Sequence, residues 1–114
     1  MLGRAHRMSD GRDFAATVRR GRKVAQPLLV AHVRAGTDSQ TRVGLVVSKA
    51  VGSAVVRNRV KRRLRHLMRA RLADLPPGTD VVVRALPQAA DATSQHLGEQ
   101  LDVAIARSLA GAPR

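Results

Sequence analysis

The stretch VVRNRVKRRLRHLMRAR, residues 55–71, has the clearest structural pattern in this chain. Its apolar residues recur every three or four positions, which is the spacing of one face of an α-helix. At about 100° per residue they form one stripe: Val56, Val60, Leu64, Leu67 and Met68. Ser53 is a good N-cap for this segment. The sequence therefore predicts a long helix from Ser53 to about Leu72 with one face in the core.

The opposite face of this predicted helix is strongly basic. Residues 55–71 contain eight Arg or Lys and no acidic residue. One exposed line is expected to consist of Asn58, Arg62, Arg65 and Arg69. A merely solvated face normally interleaves acidic residues, because like charges at i, i+4 destabilise a helix by a few tenths of a kcal/mol. The pattern favours binding of a polyanion. A membrane-surface helix competes with this interpretation, but its apolar face would be missing from the core of a small chain.

The composition points to the same class of partner. The chain has 114 residues and a net charge of +13, and 18 of its 21 cations are Arg. Guanidinium groups pair two-pronged with phosphate, which favours nucleic acid. We expect one domain over 1–114, with frayed ends at 1–8 and 111–114. There is no Cys, no apolar run near the roughly 20 residues of a membrane span, and no secretory signal, so a cytoplasmic location is expected.

Flanking patterns predict the remaining elements. Ser9 or Asp10 can cap a helix ending near Arg20, on which Phe14 and Val18 share one face. Strands are predicted at 22–25, 28–34, 41–48 and 80–84, and a last helix at 94–110. Strands 28–34 and 41–48 are expected to form a hairpin across the turn-rich residues 36–39. The predicted class is an α+β sandwich in the order α-β-β-β-α-β-α, with helices packed against a small mixed sheet.

Patterns for protein-based catalysis are weak. The four histidines, His6, His32, His66 and His96, lack ligand-like spacing, so no metal site is predicted in the protein. The aspartates make no paired-carboxylate pattern. Ser48 and Lys49 would point to opposite faces if both lay on a strand, so they are not expected to act as a nucleophile pair. No catalytic residue is predicted in the protein.

The run RVGLVVSKAVGSAVVRNRVKRRLR, residues 42–65, resembles the signature of the bacterial ribonuclease P protein subunit, centred on Arg57-Asn58-Arg59. Arg12-Asp13-Phe14 and the later segment GTDVVV at 78–83 agree with it in chain order. The resemblance implies a basic subunit that assembles with a catalytic RNA and assists removal of the 5′ leader from precursor tRNA. Magnesium ions would serve the RNA's chemistry. It also implies parallel strands at 41–48 and 79–86 joined by a left-handed crossover.

The resemblance, together with the basic pattern of the chain, gives the expected site residues. Residues expected to bind the RNA subunit are Lys49, Arg57, Asn58, Arg59, Lys61, Arg62, Arg65 and Arg69. Residues expected to bind the precursor leader are Arg12, Phe14, Val18, Arg19 and Arg42. Val18 replaces a second aromatic residue common in the family, and Ala50 replaces a second basic residue after Ser48-Lys49. Without the resemblance, Phe14 would by default be a core residue.

Two other functional classes share the size and charge of this chain. A small structural RNA-binding protein, such as a ribosomal component, would need neither a leader cleft nor an effect on cleavage. A double-stranded DNA binder is disfavoured, because no helix-turn-helix layout is recognisable. Membrane and small-molecule partners are not expected.

Overall fold

The computed structural model describes Met8, residues 11–36 and residues 40–110. The elements are α1 (Gly11–Arg20), β1 (Arg22–Ala25), β2 (Leu29–Ala35), β3 (Arg42–Val46), α2 (Ala54–Arg71), β4 (Thr79–Ala85) and α3 (Ser94–Ala110). Short 3-10 turns occupy Lys49–Val51, Leu72–Asp74 and Pro87–Asp91. The predicted α+β class and order of elements are confirmed. Within the described residues, no helix is long and apolar enough to cross a membrane.

The four strands form one mixed sheet in the order β1-β2-β4-β3. The hairpin predicted between 28–34 and 41–48 is wrong, because β4 lies between these two strands. Burial explains the order: Val82 and its neighbours on β4 are inaccessible on both faces, which favours an interior position. The antiparallel hairpin instead joins β1 to β2. The parallel pairing of β3 with β4 confirms that implication of the resemblance, and the left hand of the crossover stays a prediction.

The helices lie on both faces of the sheet. On one face α3 contacts β1 and β2, and α2 contacts β3; Leu29 and Ala31 of β2 join the main core there. Val60, Leu64 and Met68 of α2 are fully buried in that core, which confirms the predicted stripe. On the other face lies α1. A single small domain thus has a sheet between unequal helical layers.

A glycine turn and an N-cap define the start of α2. Strand β3 ends at Val46, two residues before the predicted Ser48, and a 3-10 turn follows. Gly52 then has φ +153°, a backbone conformation that favours glycine. The Ser53 hydroxyl accepts a hydrogen bond from the Val56 amide at 3.4 Å, as expected for an N-cap.

The structure describes Met8, which lies inside the segment 1–8 that was predicted to be frayed. Met8 is buried, and its amide donates to the Val43 carbonyl at 3.0 Å. This contact places Met8 against β3, the strand at one edge of the sheet. The rest of 1–8, the proposed caps Ser9 and Asp10, and 111–114 lie outside the described residues.

Candidate nucleic-acid interface

The outer face of α2 presents a continuous basic groove. We call it the α2 groove; it has a volume of about 430 Å³ and is lined by Asn58, Lys61, Arg62, Arg65 and His66. The spacing of these residues places them on one side of the helix. Arg62 is exposed there, and Arg69 is exposed beyond the groove. The line predicted from helical spacing is therefore present on the surface.

Other cations of α2 turn towards the protein. Arg59 donates from Nη2 to the Ala90 carbonyl at 3.2 Å, and Arg63 donates from Nη1 to the Ala92 carbonyl at 2.9 Å. These contacts tie α2 to the segment that follows β4. Charge counting along the sequence cannot separate such cations from those that face outward.

The cations at and near the two ends of α2 have different environments. Arg71 pairs with Asp102 of α3 at 2.7 Å. Arg57 is half-buried, and its Nε has no hydrogen-bond partner among the described residues. Lys49 is exposed on the 3-10 turn that leads into the helix. Among the residues assigned to the RNA subunit, Arg59 differs because its guanidinium donates to a backbone carbonyl, that of Ala90.

A second concave surface lies between α1 and α2, along the edge strand β3. We call it the Phe14 cleft; its volume is about 140 Å³, and Met8, Phe14, Val43, Gly44, Leu45, Lys61 and Arg65 line it. Phe14 is half-buried rather than enclosed in the core. Its ring lies on Gly44, where an added Cβ would come within 2.4 Å of Cε2. A side chain at position 44 would therefore displace the ring.

Lys61 and Arg65 line both concave surfaces. The α2 groove and the Phe14 cleft are therefore adjoining parts of one basic surface. The helical pattern alone placed these two cations on α2 but did not show that α1 lies across β3 from them. An aromatic ring with cations beside it can stack a base and pair with the adjoining phosphate.

Arg42, which is expected to bind the leader, makes hydrogen bonds to two carboxylates within the protein. Its Nη1 donates to Asp13 of α1 at 2.7 Å, while Nε and Nη2 each lie 3.2 Å from a carboxylate oxygen of Asp80. The hydrogen bond to Asp13 is the largest cause that raises the pKa of Arg42, ahead of the bond to Asp80. Only 14% of the Arg42 side chain is exposed. These contacts link Arg42 of β3 to both α1 and β4.

The remaining residues assigned to the leader lie on α1. Arg12 and Arg19 are exposed, and Val18 is half-buried one turn after Phe14. None of these positions provides a second aromatic ring, because Phe14 is the sole aromatic residue of the chain.

The sheet face that carries α1 also holds a basic group that was not predicted from the sequence. Lys23 lies opposite His32 in the β1–β2 register, and Arg84 lies on β4. Burial, then Arg84, then Lys23 lower the pKa of His32. His32 and Gly44 are both paired with Val82, so they lie on the same face of the sheet; alternation along β2 is the signal that could have separated His32 from the core face.

A protein metal site has no support among the described residues. No group of three or more His, Cys, Asp or Glu side chains there is arranged to hold a metal ion. The buried carboxylate of Asp80 and the adjacent Asp13 are instead paired with Arg34 and Arg42. These residues do not fit a magnesium site.

Comparison with known proteins gives one consistent result. The family described as Ribonuclease P matches residues 2–108 of the chain. The Ribonuclease P protein component of Streptomyces avermitilis is 56% identical over 123 residues, with complete coverage of both chains. That of Beutenbergia cavernae is 56% identical over 104 residues, covering 90% of this chain and 87% of its own.

Solved structures agree in fold. A Staphylococcus aureus RNase P protein mutant, described as having defective mRNA degradation activity, is 26% identical and superposes with a TM-score of 0.83. That comparison covers 92% of this chain and 89% of the other. The RNase P protein of Thermotoga maritima is also 26% identical, with a TM-score of 0.77 and coverage of 89% and 96%. The chain therefore belongs to the ribonuclease P protein component family.

Proposed function

We propose that this chain is the non-catalytic protein subunit of a ribonucleoprotein endonuclease that removes the 5′ leader of precursor tRNA. Its partners would be the catalytic RNA subunit and the precursor. The observation that carries this proposal is the junction of the α2 groove with the Phe14 cleft through Lys61 and Arg65. Two RNA segments, one on each surface, would meet at these two cations.

The α2 groove is the proposed contact with the RNA subunit. Cations along one helix face displace counterions from the RNA backbone, which provides affinity without sequence preference. The proposed contacts are Lys49, Arg57, Asn58, Lys61, Arg62, Arg65 and Arg69. Arg59 would support this surface from behind, through its bond to the Ala90 carbonyl.

The Phe14 cleft is the proposed contact with the single-stranded leader. Stacking of one base on an aromatic ring contributes about 1–3 kcal/mol and tolerates any base, which suits many different leaders. Val18 offers an apolar contact in place of a second ring, while Arg12 and Arg19 lie on the same helix for the leader backbone. Stacking would therefore depend on Phe14.

The chemistry of cleavage would belong to the RNA subunit and its magnesium ions. This chain would contribute binding energy that only a leader-bearing precursor can use, which favours precursor over product. Its positive charge would also reduce repulsion between RNA segments, so that the RNA folds and holds its metal ions at lower magnesium concentration. Because precursor tRNA is the proposed substrate, the proposed location is the bacterial cytoplasm.

Cleavage of precursor tRNA by a bacterial ribonuclease P RNA at low, near-physiological magnesium tests this function. We expect cleavage at the mature 5′ end to require the added protein. If the protein binds the RNA yet gives no gain in cleavage, the chain acts as a structural RNA-binding protein instead. A variant with Arg62 and Arg65 both changed to Ala should weaken RNA-subunit binding and lower its salt slope by roughly one to two units.

A further inference from the structure

We infer that a partly buried four-residue charge network, formed by Asp13, Arg34, Arg42 and Asp80, positions α1 and thereby sets the Phe14 platform for the leader. The inference rests on the proposed function and adds positioning residues to it. Four separate elements contribute one residue each: α1, β2, β3 and β4.

Asp80 is the centre of the network. Its side chain is fully buried, and it accepts from Arg42 Nε at 3.2 Å and pairs with Arg34 Nη2 at 3.3 Å. A buried carboxylate requires such partners, because an uncompensated charge in the interior is strongly unfavourable. The two arginines are in turn only 14% and 17% exposed. Asp80 therefore fixes both guanidinium groups on the sheet.

Both guanidinium groups then reach α1. Arg42 Nη1 lies 2.7 Å from Asp13 Oδ2, and Arg34 Nη2 lies 3.8 Å from Asp13 Oδ1. Arg34 Nε also donates to Thr17 Oγ1 at 3.1 Å, and that hydroxyl donates to the Asp13 carbonyl at 2.8 Å. Asp13 and Thr17 are one helical turn apart, so the sheet holds α1 at two points on the same side.

Phe14 follows Asp13 directly, and its ring lies on Gly44 of β3. A shift or rotation of α1 would therefore move the ring relative to Lys61 and Arg65 across the cleft. The Arg34 contacts matter for this reason, since they prevent α1 from pivoting about the Asp13–Arg42 pair alone. The network thus sets the distance and angle between the proposed base platform and its neighbouring cations.

Asp13→Asn gives a test, because the loss of positioning and the loss of charge should change the binding of precursor in opposite directions. The amide keeps the size of the side chain but removes a negative charge near RNA, so charge alone would strengthen binding of precursor. Loss of positioning should instead reduce the preference for precursor over mature tRNA. We expect a reduction of at least about threefold, given that stacking of one base contributes about 1–3 kcal/mol.

The measurement is the ratio of affinities for precursor and mature tRNA in holoenzyme reconstituted with a bacterial ribonuclease P RNA. Asp74→Asn is the matched control, because Asp74 is an exposed acid in a 3-10 turn outside the network. It should leave the ratio unchanged. Thr17→Val, which removes only the hydroxyl that Arg34 contacts, should lower the ratio in the same direction as Asp13→Asn but by less.

The same substitution in a Phe14→Ala background separates this inference from the proposed function. If Asp13 acts through Phe14, Asp13→Asn should cause no further loss of precursor preference there. The positioning role is overturned if Asp13→Asn alone leaves the preference for precursor unchanged or increases it. It is also overturned if Asp13→Asn causes the same loss of preference with Phe14 present as in the Phe14→Ala background. If Phe14→Ala itself leaves the preference intact, the leader role of Phe14 fails and the inference fails with it.

Discussion

Gly44 is the residue on which the shape of the Phe14 cleft depends. A Cβ at this position would clash with Phe14 Cε2, whereas a Cβ at Gly11, the first residue of α1, would meet no atom within 4 Å. We predict that Gly44→Ala displaces the ring, lowers stability by about 1–3 kcal/mol through overpacking, and weakens leader binding. Chemical denaturation and precursor affinity measure the two effects. Gly11→Ala is the control and should lower neither; a tolerated Gly44→Ala would mean that the ring does not rest there.

His32 is the residue whose environment predicts a dependence of stability on pH. Burial, Arg84 and Lys23 lower its pKa from the ordinary value of 6.5, and its Nδ1 has no partner among the described residues. The unfolded chain therefore binds a proton before the folded chain does, so stability is retained above pH 6.5 and lost as pH falls below it. We predict that His32→Gln loses less stability than the wild type between about pH 7.5 and 5.5.

Thermal denaturation at the two pH values measures this difference. The exposed Gln88 provides the control, since Gln88→Ala removes no titratable group and should follow the wild-type pH dependence. If the His32 variant loses as much stability at low pH as the wild type, groups other than His32 cause the pH dependence.

At the scale of elements, α2 has two basic sides with different tasks. Arg62 faces solvent in the α2 groove, whereas Arg59 donates to the Ala90 carbonyl. We predict that Arg62→Ala lowers the salt slope of RNA-subunit binding by about one unit and changes stability by less than about 0.5 kcal/mol. Arg59→Ala should instead cost about 1.5–3 kcal/mol of stability, the usual contribution of a hydrogen bond to a charged group, with a slope close to that of the wild type.

Salt titrations of RNA binding and urea denaturation of both variants check this division. Arg63→Ala should behave like Arg59→Ala, because Arg63 donates in the same way to the Ala92 carbonyl. Equal losses of slope for Arg59→Ala and Arg62→Ala would place the Arg59 guanidinium on the RNA.

The elements also show what a sequence can predict. Helical spacing was sufficient to place Val60 and Leu64 in the core and Arg62 on the surface, because both properties are local to one helix. Strand neighbours are not local, and the predicted hairpin failed because β4 enters from far along the chain. The carboxylate partners of Arg42 were not predicted for the same reason, since they lie on α1 and β4.

Across the whole molecule, the charges are distributed unequally. Apart from Asp13 and Asp80, the acidic residues within the described part of the chain lie in the turns after α2 and β4 or on α3: Asp74, Asp91, Glu99 and Asp102. Negative charge repels RNA phosphates, while the α2 groove and the Phe14 cleft attract them. The outer face of α3 should therefore point away from RNA in the assembled enzyme.

Site-specific labels test this orientation, because the chain has no Cys of its own. Asn58 and Gln95 are matched positions, since both are exposed, uncharged and in the first half of a helix. We predict that a bulky thiol-reactive fluorophore on Asn58→Cys lowers affinity for the RNA subunit by about tenfold or more, equivalent to ~1.4 kcal/mol, by blocking the α2 groove. The same fluorophore on Gln95→Cys should leave affinity near the wild-type value. Equal losses at both positions would show that RNA encloses the α3 face as well, and the charge distribution would then not determine how the protein docks.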